Sequence, residues 1–126
     1  MTTEDCVFCR IFARETPGTI VHEDADIVAF LPLERGAHFH VMVSPRRHVT
    51  SVAELDDVEL AGRVLLRAAQ IGREAGYRER GFRLVTNVPG PDNDGGVPHL
   101  HVHVYAGQRL GYPVRHDPKQ DGTPPG

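Results

Sequence analysis

Three histidines at alternate positions near the end of the chain, His99, His101 and His103, have the clearest capacity for chemistry. Residues two apart in a β-strand point to the same face, so the three imidazoles would line one face and the apolar Leu100 and Val102 the other. Such a row is compatible with a solvated or internally satisfied histidine face, or with a three-histidine metal site. It is also compatible with nucleophilic catalysis, in which the middle imidazole attacks phosphorus and its neighbours set tautomer and charge.

A loop rich in glycine and short polar residues, residues 89–96, comes just before the histidine row. It ends in Gly95 and Gly96, and glycine allows backbone N–H groups to approach an anion closely. We therefore expect these two residues to contact a phosphate group.

Cys6 and Cys9 are the only two cysteines of the chain, and they are spaced as Cys-x-x-Cys. The spacing alone is compatible with buried apolar thiols, with a redox pair and with half of a zinc site. In a cytoplasmic protein it points to metal or redox chemistry more than to a structural disulfide. A zinc site would need two further ligands from elsewhere in the chain.

The pattern of apolar and turn-forming residues predicts an α+β domain that would position these groups. A short helix over 4–13 places Val7, Phe8 and Ile11 on one face. Strands are predicted over residues 19–22, 27–31, 40–44, 81–88 and 98–106. We expect the five strands to form one antiparallel sheet.

Residues 56–75 carry the strongest helical pattern. Asp56 is the expected N-cap, with Glu59 three residues later as in a capping box, and Gly76 ends the helix. Ser51 offers an alternative start. We expect this long helix to pack on one face of the sheet through a stripe of Val58, Gly62, Leu65, Ala69 and Gly72.

The composition is that of an ordinary globular domain, with 40% hydrophobic and 25% charged residues in a chain of 126. The net charge of −3 argues against non-specific binding to nucleic acid, which needs a basic surface. No apolar run is long enough to span a membrane, and the polar, acidic N-terminus is unlike a secretory signal. We therefore expect a cytoplasmic protein that binds neither nucleic acid nor membrane.

Residues 114–126 are rich in proline, glycine and charged residues and contain almost nothing apolar. We expect this tail to be poorly ordered. The folded domain would then comprise residues 1–113, a size at which a homodimer would add useful buried surface.

Several blocks of the sequence together resemble the histidine-triad (HIT) family. Residues 99–105, His-Leu-His-Val-His-Val-Tyr, match its signature of three histidines alternating with apolar residues. Three further segments are similar to family blocks in the same order, namely 5–13, 27–31 and 40–48. The last of these runs from histidine through an apolar stretch, proline and two arginines to histidine. Residues 107–113 resemble the Hint branch. The resemblance implies a HIT-like fold and a homodimer.

The resemblance also implies a reaction, because family members cleave a bond at the α-phosphate of a nucleotide through a nucleotidyl-histidine intermediate. His101 would be the nucleophile, with its second ring nitrogen held by a backbone carbonyl. His103 and His40 would assist at the phosphate, and Asn87 would orient the phosphate or the catalytic strand. The substrate would be a purine nucleotide, with adenine the expected base, as for an adenosine 5′-phosphoramidase or an adenylylsulfatase.

Apolar side chains would hold the purine, and the resemblance favours Phe30 among them. Ordinary core packing is the competing interpretation for each of these side chains. With the two loop glycines, the expected nucleotide contacts are Val7, Phe8, Ile11, Phe30, Leu33, Gly95 and Gly96.

A structural zinc ion is implied by the same resemblance. Some bacterial members combine the Cys-x-x-Cys motif with one histidine after the proline-basic-basic segment and another that opens the triad. Four nitrogen and sulfur ligands would close a tetrahedral site. The expected ligands are therefore Cys6, Cys9, His48 and His99, and no organic cofactor is expected.

Two positions depart from the family pattern. The acid that binds the ribose hydroxyls is replaced by Pro32, whose side chain cannot accept hydrogen bonds, and Glu34 could take its place. Gly96 stands where the family usually has a hydroxyl that assists the leaving group. The alternative functions are a dinucleoside polyphosphate hydrolase and a nucleotide-binding regulatory module with weak catalysis.

Overall fold

The computed structural model describes residues 5–111 and 117–120. Its elements are α1 (Val7–Phe12), β1 (Ile20–Glu23), β2 (Ile27–Phe30), β3 (Phe39–Pro45), α2 (Val58–Glu74), β4 (Arg83–Thr86) and β5 (Val102–Ala106), with 3₁₀ turns at Val52–Glu54 and Pro118–Gln120. Within these ranges no helix is both long and apolar enough to cross a bilayer. Most of the tail 114–126 lies outside the described residues, so its poor order and the domain boundary at residue 113 stay predictions.

The five strands form one antiparallel sheet in the order β1-β2-β3-β5-β4. β3 and β5 lie side by side near its centre, although α2 and β4 come between them in the sequence. Their register places Met42 opposite His103 and His40 opposite Tyr105. The predicted α+β fold, with a five-stranded antiparallel sheet, one long helix and a short N-terminal helix, is confirmed.

Each face of the sheet packs against one helix. On one face, α2 buries Leu60, Val64 and Ala68 against the inward side chains of the central strands, which include Val43 and Val104. On the other face, α1 closes a second apolar cluster that consists of Cys6, Phe8, Phe12, Val28, Phe30 and Met42. The histidines lie beside this second cluster.

The first turn of α2 corrects the predicted N-cap. Asp57 is the cap, because its Oδ1 accepts the backbone N–H of Leu60 at 3.0 Å. The side chain of Asp56 instead accepts a hydrogen bond from Arg47 at 3.2 Å. Asp56 and Asp57 are adjacent, and either could cap the helix. The sequence pattern could not show which of them does, because Arg47, which bonds to Asp56, comes from another segment.

The buried stripe of α2 was also predicted wrongly. Only Gly72 of that stripe is buried, whereas Val58 and Leu65 are exposed. A Cβ at Gly72 would lie 2.6 Å from the ring of Phe82, so the helix can approach the start of β4 this closely only through glycine. Because α2 carries apolar residues on more than one face, periodicity alone did not identify the face that meets this sheet.

β5 begins at Val102, four residues later than the predicted strand 98–106. In the preceding segment the backbone N–H of His99 donates to Val97 O at 2.8 Å, and that of Leu100 donates to Val49 O at 2.7 Å. These bonds turn the chain before it enters the sheet. β4 is likewise shorter than the predicted strand 81–88.

Candidate active site and metal centre

The side chain of His101 is buried and held in one tautomer. Its Nδ1 lies 2.7 Å from the carbonyl oxygen of His99, and a carbonyl can only accept, so Nδ1 carries the proton. Nε2 therefore keeps its lone pair. The ring of Phe8 packs edge-on against this imidazole at a centroid distance of 5.2 Å and fixes its orientation.

A second pair of imidazoles, His40 and His103, lies beside the first. The backbone N–H of Gly36 donates to His40 Nδ1 at 2.9 Å, so the proton of a neutral His40 is on Nε2. That proton is donated to His103 Nδ1 at 2.8 Å, which leaves Nε2–H of His103 as a further donor. The rings of His101 and His103 are 4.9 Å apart. A nucleophilic nitrogen and a hydrogen-bond donor are thus adjacent.

The imidazoles are predominantly neutral near pH 7. Burial lowers the pKa of His101 below its usual value, although the hydrogen bond to the carbonyl of His99 partly opposes this. Burial, followed by the charges of His101 and His40, lowers the pKa of His103 to about 4. Burial and then His101 also lower the pKa of His40. The lone pair on His101 is therefore available without deprotonation.

Thr86 is a site residue that the sequence analysis missed. Its Oγ1 donates to the carbonyl oxygen of His101 at 2.8 Å, so the peptide that carries this histidine is held from β4. The pairing of Thr86 with Val102 places it there. A threonine before the predicted loop was visible in the sequence, but its partner depends on the strand register.

Asn87 follows β4 and lies next to the glycine-rich loop. Its Oδ1 accepts a long hydrogen bond, 3.4 Å, from Asn93 Nδ2, and Asn93 Nδ2 also donates to Val88 O at 3.0 Å. The described contacts of Asn87 are therefore with the loop that precedes the histidines and not with an imidazole. This placement suits a residue that positions the loop.

The two loop glycines differ in their surroundings. A Cβ at Gly95 would lie 2.8 Å from Cβ of Pro89, so Gly95 is required for packing within the loop. Gly96 has a φ of +69°, which favours glycine, and its N–H donates to Asp94 Oδ1 at 3.0 Å. In this conformation the N–H of Gly96 is already occupied.

The predicted purine contacts separate into three groups. Phe8 and Phe30 are buried, with ring centroids 4.9 Å apart, inside the second apolar cluster. Leu33 is fully exposed, and its neighbour Glu34 is exposed. Val7 and Ile11 are half-buried at the edge of that cluster, and Ile11 also lines an open cavity of about 440 Å³.

The structure brings together the four predicted metal ligands, although they come from three separate segments. The Sγ or Nδ1 atoms of Cys6, Cys9, His48 and His99 all lie within 4.8 Å of one another. Nδ1 of His99 is 3.4 Å from Cys6 Sγ and 3.5 Å from Cys9 Sγ, and it is 3.2 Å from His48 Nδ1.

These distances match the edges of a zinc tetrahedron. With Zn–S near ~2.3 Å and Zn–N near ~2.05 Å, sulfur-to-nitrogen edges are about 3.6 Å and nitrogen-to-nitrogen edges about 3.3 Å. Nε2 of His99 lies 2.8 Å from Pro45 O and so carries its proton, which turns the lone pair of Nδ1 toward the cluster. The four residues form a closed donor set that can hold Zn²⁺.

The cysteines also favour a bound cation. Burial, and then the neighbouring Cys6 thiol, raise the pKa of Cys9 to about 11. A thiolate at this position therefore needs a compensating positive charge, which a metal ion supplies. Cys6 is completely buried at the N-cap of α1, so a metal here ties that helix to the sheet.

His99 links the cluster of four metal-ligand candidates to His101. Its side chain faces the cysteines, whereas its carbonyl oxygen holds His101. The predicted row of three histidines along one strand face is therefore divided. His99 belongs to the cluster and His101 with His103 to the second site, because the chain turns before β5.

Comparisons with known proteins identify the family of this chain. The HIT domain family matches residues 13–110. The chain is 33% identical over 113 residues to a 14 kDa zinc-binding protein of Brassica juncea, covering 86% of this chain and 98% of that protein. It is 31% identical over 113 residues to protein HitA of Neisseria gonorrhoeae, covering 88% and 99%.

Solved structures show the same likeness. A HIT family hydrolase from Clostridium thermocellum superimposes with a TM-score of 0.82 at 33% identity, and the match covers 90% of this chain and all of that one. A histidine triad protein from Clostridium difficile gives a TM-score of 0.80 at 34% identity, covering 89% and 98%. The family match spans most of the chain and includes the segment that carries His40, His101 and His103, so this protein belongs to the HIT domain family.

Proposed function

We propose that this protein is a nucleotide hydrolase or transferase that breaks a bond at the α-phosphate of a purine nucleotide, with adenine the favoured base. The observation that carries the proposal is the tautomer of His101, whose Nδ1–H is bound to His99 O and whose Nε2 lone pair is available. The solved relatives that are called HIT family hydrolases support a hydrolase. The family membership supports His101 as the nucleophile.

The reaction would proceed in two displacements. The lone pair of His101 Nε2 attacks the α-phosphorus, and the bond to the leaving group breaks with its electron pair on the leaving group. Nε2–H of His103, held by the chain from Gly36 through His40, donates to an oxygen of the phosphate. Water then attacks phosphorus, the phosphorus–nitrogen bond breaks, and its electron pair returns to His101.

The cavity beside Ile11 is the proposed place for the purine. Its volume of about 440 Å³ is within the range of small-molecule sites. It is lined by Ile11 and Ile20 as well as polar residues, and it adjoins the aromatic cluster that contacts His101. Ile11 is thus better placed for a base contact than Phe30, which would have to move.

Zinc is the proposed occupant of the Cys6, Cys9, His48 and His99 cluster. The relative from Brassica juncea is named a zinc-binding protein. The metal would be structural, because the donor set has no open position for substrate. Both cysteines are unpaired in the structure, and a reducing compartment such as the cytoplasm would keep them so.

A nucleotide-binding module with weak catalysis is the second candidate. Two features favour it: Pro32 provides no side-chain acceptor for a ribose, and Gly96 provides no hydroxyl. Turnover of adenosine 5′-phosphoramidate separates the two candidates. An enzyme releases AMP under multiple-turnover conditions, whereas the module binds AMP and releases no product above the uncatalysed rate.

The missing hydroxyl at Gly96 predicts a preference among leaving groups. We expect adenylylsulfate to be cleaved with a kcat/KM roughly tenfold or more above that of an alkylamine phosphoramidate, because sulfate leaves without a proton and an amine does not. Steady-state rates of AMP release measure both.

Gly96→Ser should raise the cleavage of the amine substrate relative to that of adenylylsulfate. Gly96→Ala, which places a side chain at the same φ of +69° but adds no hydroxyl, is its control. Faster cleavage of the amine by the wild type would contradict the argument.

A homodimer is proposed from the outer surface of α2 and the edge strand β4. Leu66 on α2 is 70% exposed, and β4 has a strand on only one side within the described sheet. We expect a dimer by light scattering at micromolar concentration. Leu66→Glu should shift it toward monomer, while Val21→Glu on the opposite edge strand should not. A wild-type monomer would rule out this assembly.

A further inference from the structure

Three arginines that the proposed reaction does not use line a cavity of about 460 Å³. They are Arg80 and Arg83, at the start of β4, and Arg109, which follows β5. Among residues 5–111 and 117–120, none of the three lies within ion-pair distance of a carboxylate. Elsewhere in that part of the chain, arginines commonly pair with acids, as shown by Arg14, Arg46, Arg47, Arg63, Arg67 and Arg78.

This grouping stands out in a chain whose net charge is −3. Guanidinium groups have only donors, and their planar fork matches the oxygens of phosphate in a bidentate manner. Three of them around one cavity make a local positive site that no carboxylate among residues 5–111 and 117–120 neutralises by an ion pair. The complementary ligand is a multiply charged phosphate group.

The cavity also contains an oriented amide donor. Oε1 of Gln108 accepts the backbone N–H of His38 at 2.8 Å, which leaves its NH₂ group as the free end. One guanidinium nitrogen of Arg83 donates to Leu110 O at 3.5 Å and holds the segment after β5 against β4. The remaining N–H groups of Arg83 stay available to a ligand.

The strand register places Arg83, which lines this cavity, on the same face of the sheet as His40. Arg83 is directly opposite Tyr105 on β5, and Tyr105 is directly opposite His40 on β3. Directly opposite residues of antiparallel strands share a face, so the three side chains form one row across the sheet. The ring of Tyr105 stacks on His103 at 5.3 Å and lies 4.4 Å from the ring of His40. Tyr105 thus contacts both histidines and occupies the position between them and Arg83 in this row.

We propose that Arg80, Arg83 and Arg109 form an anion subsite that holds a phosphate-bearing leaving group of the nucleotide substrate. This inference rests on the proposed function for its catalytic role, but anion binding by the cavity does not. A phosphate leaving group departs without a proton, which agrees with the absence of a hydroxyl at Gly96. The arginines would bind the oxygens of that phosphate group.

Binding is tested with inorganic pyrophosphate by titration calorimetry at low ionic strength. We expect about one pyrophosphate per chain for the wild type. The double variant Arg83→Gln/Arg109→Gln should bind it roughly tenfold more weakly or worse. Arg73→Gln, which changes an exposed arginine outside the cavity, is the charge-matched control. The single variant Arg109→Gln removes one positive charge and leaves the hydrogen bond from Arg83 to Leu110 intact. Weaker binding by this variant would therefore show the effect of charge and not of a disturbed fold. No binding by the wild type, or equal binding by the double variant, would overturn the subsite.

Catalysis is tested with two adenylyl substrates, a diadenosine triphosphate and adenosine 5′-phosphoramidate. We compare kcat/KM for the triphosphate with kcat/KM for the phosphoramidate, as a ratio of the first to the second. This ratio should fall about tenfold or more in the double variant. Arg73→Gln should keep the wild-type ratio. An unchanged ratio with both substrates turned over would refute the role in leaving-group selection. If the wild type cleaved neither substrate, the proposed function would fail, and pyrophosphate binding would still decide the subsite.

Discussion

Replacing His101 with alanine is expected to lower kcat for adenosine 5′-phosphoramidate on the order of 10³-fold or more. The substitution removes the nitrogen whose lone pair is directed away from the carbonyl of His99, and no other group can form the phosphorus–nitrogen bond in its place. His103→Ala and His40→Ala should cost less, because these residues assist. Asn87→Ala should be milder still. Initial rates of AMP release measure the series.

The covalent intermediate of this reaction is detected directly by mass spectrometry. Wild-type protein quenched in acid during turnover should carry a nucleotidyl group by mass spectrometry, and His101→Ala should not. His22→Ala is the control, since His22 is on β1 and two strands separate it from β5. Unchanged turnover in His101→Ala would exclude the covalent route, whereas loss of activity in His22→Ala would point to a general effect on folding.

Removing the zinc site is expected to have the largest effect on stability. Purified protein should contain about one zinc per chain, and Cys9→Ser should lower the free energy of unfolding by roughly 4 kcal/mol or more, because a structural metal contributes directly to folding. Without the metal, the buried thiols and imidazoles of the cluster lose the charge that compensates them. Metal analysis and denaturant unfolding with and without a chelator provide the measurements.

The metal variants separate folding from chemistry. Cys9→Ser and His48→Ala change only the metal cluster, whereas a change at His99 would also disturb the carbonyl that holds His101. We therefore expect the first two variants to retain turnover at low temperature, with lowered thermal stability. His22→Ala provides a histidine control outside the cluster. Protein that contains no zinc as purified and whose two thiols react freely would argue against a metal at this position.

Much of the fold was predictable because its signals are local. The alternation after His99 predicted that Leu100 and Val102 lie on the face opposite the histidines, and both are buried. Gly76, which was predicted to end the long helix, follows the end of α2 with a φ of +92°. These features depend on a residue and its near neighbours, so the sequence suffices for them.

The residue pattern identified the residue types of both sites, and the family resemblance assigned His99 to the metal and His101 to catalysis, but neither indicated the contacts that hold the two sites apart. The division of the histidine row follows from the turn at Leu100, where the backbone bonds to Val49, and this contact joins segments far apart in the chain. The face of α2 that is buried, the bond from Thr86 to His101, and the burial of Phe30 depend in the same way on which strands become neighbours.

The arginine cavity is the clearest case of a feature that only the tertiary structure determined. Arg80 and Arg83 precede Arg109 by a long stretch of sequence, and nothing in their local pattern relates them. They meet because β4 pairs with β5, which brings the segment after β5 back to the start of β4. Strand register is set by the packing of the whole sheet against its two helices. Local residue patterns determined which elements form and which residues can do chemistry, whereas register and packing decided which of those residues share a site.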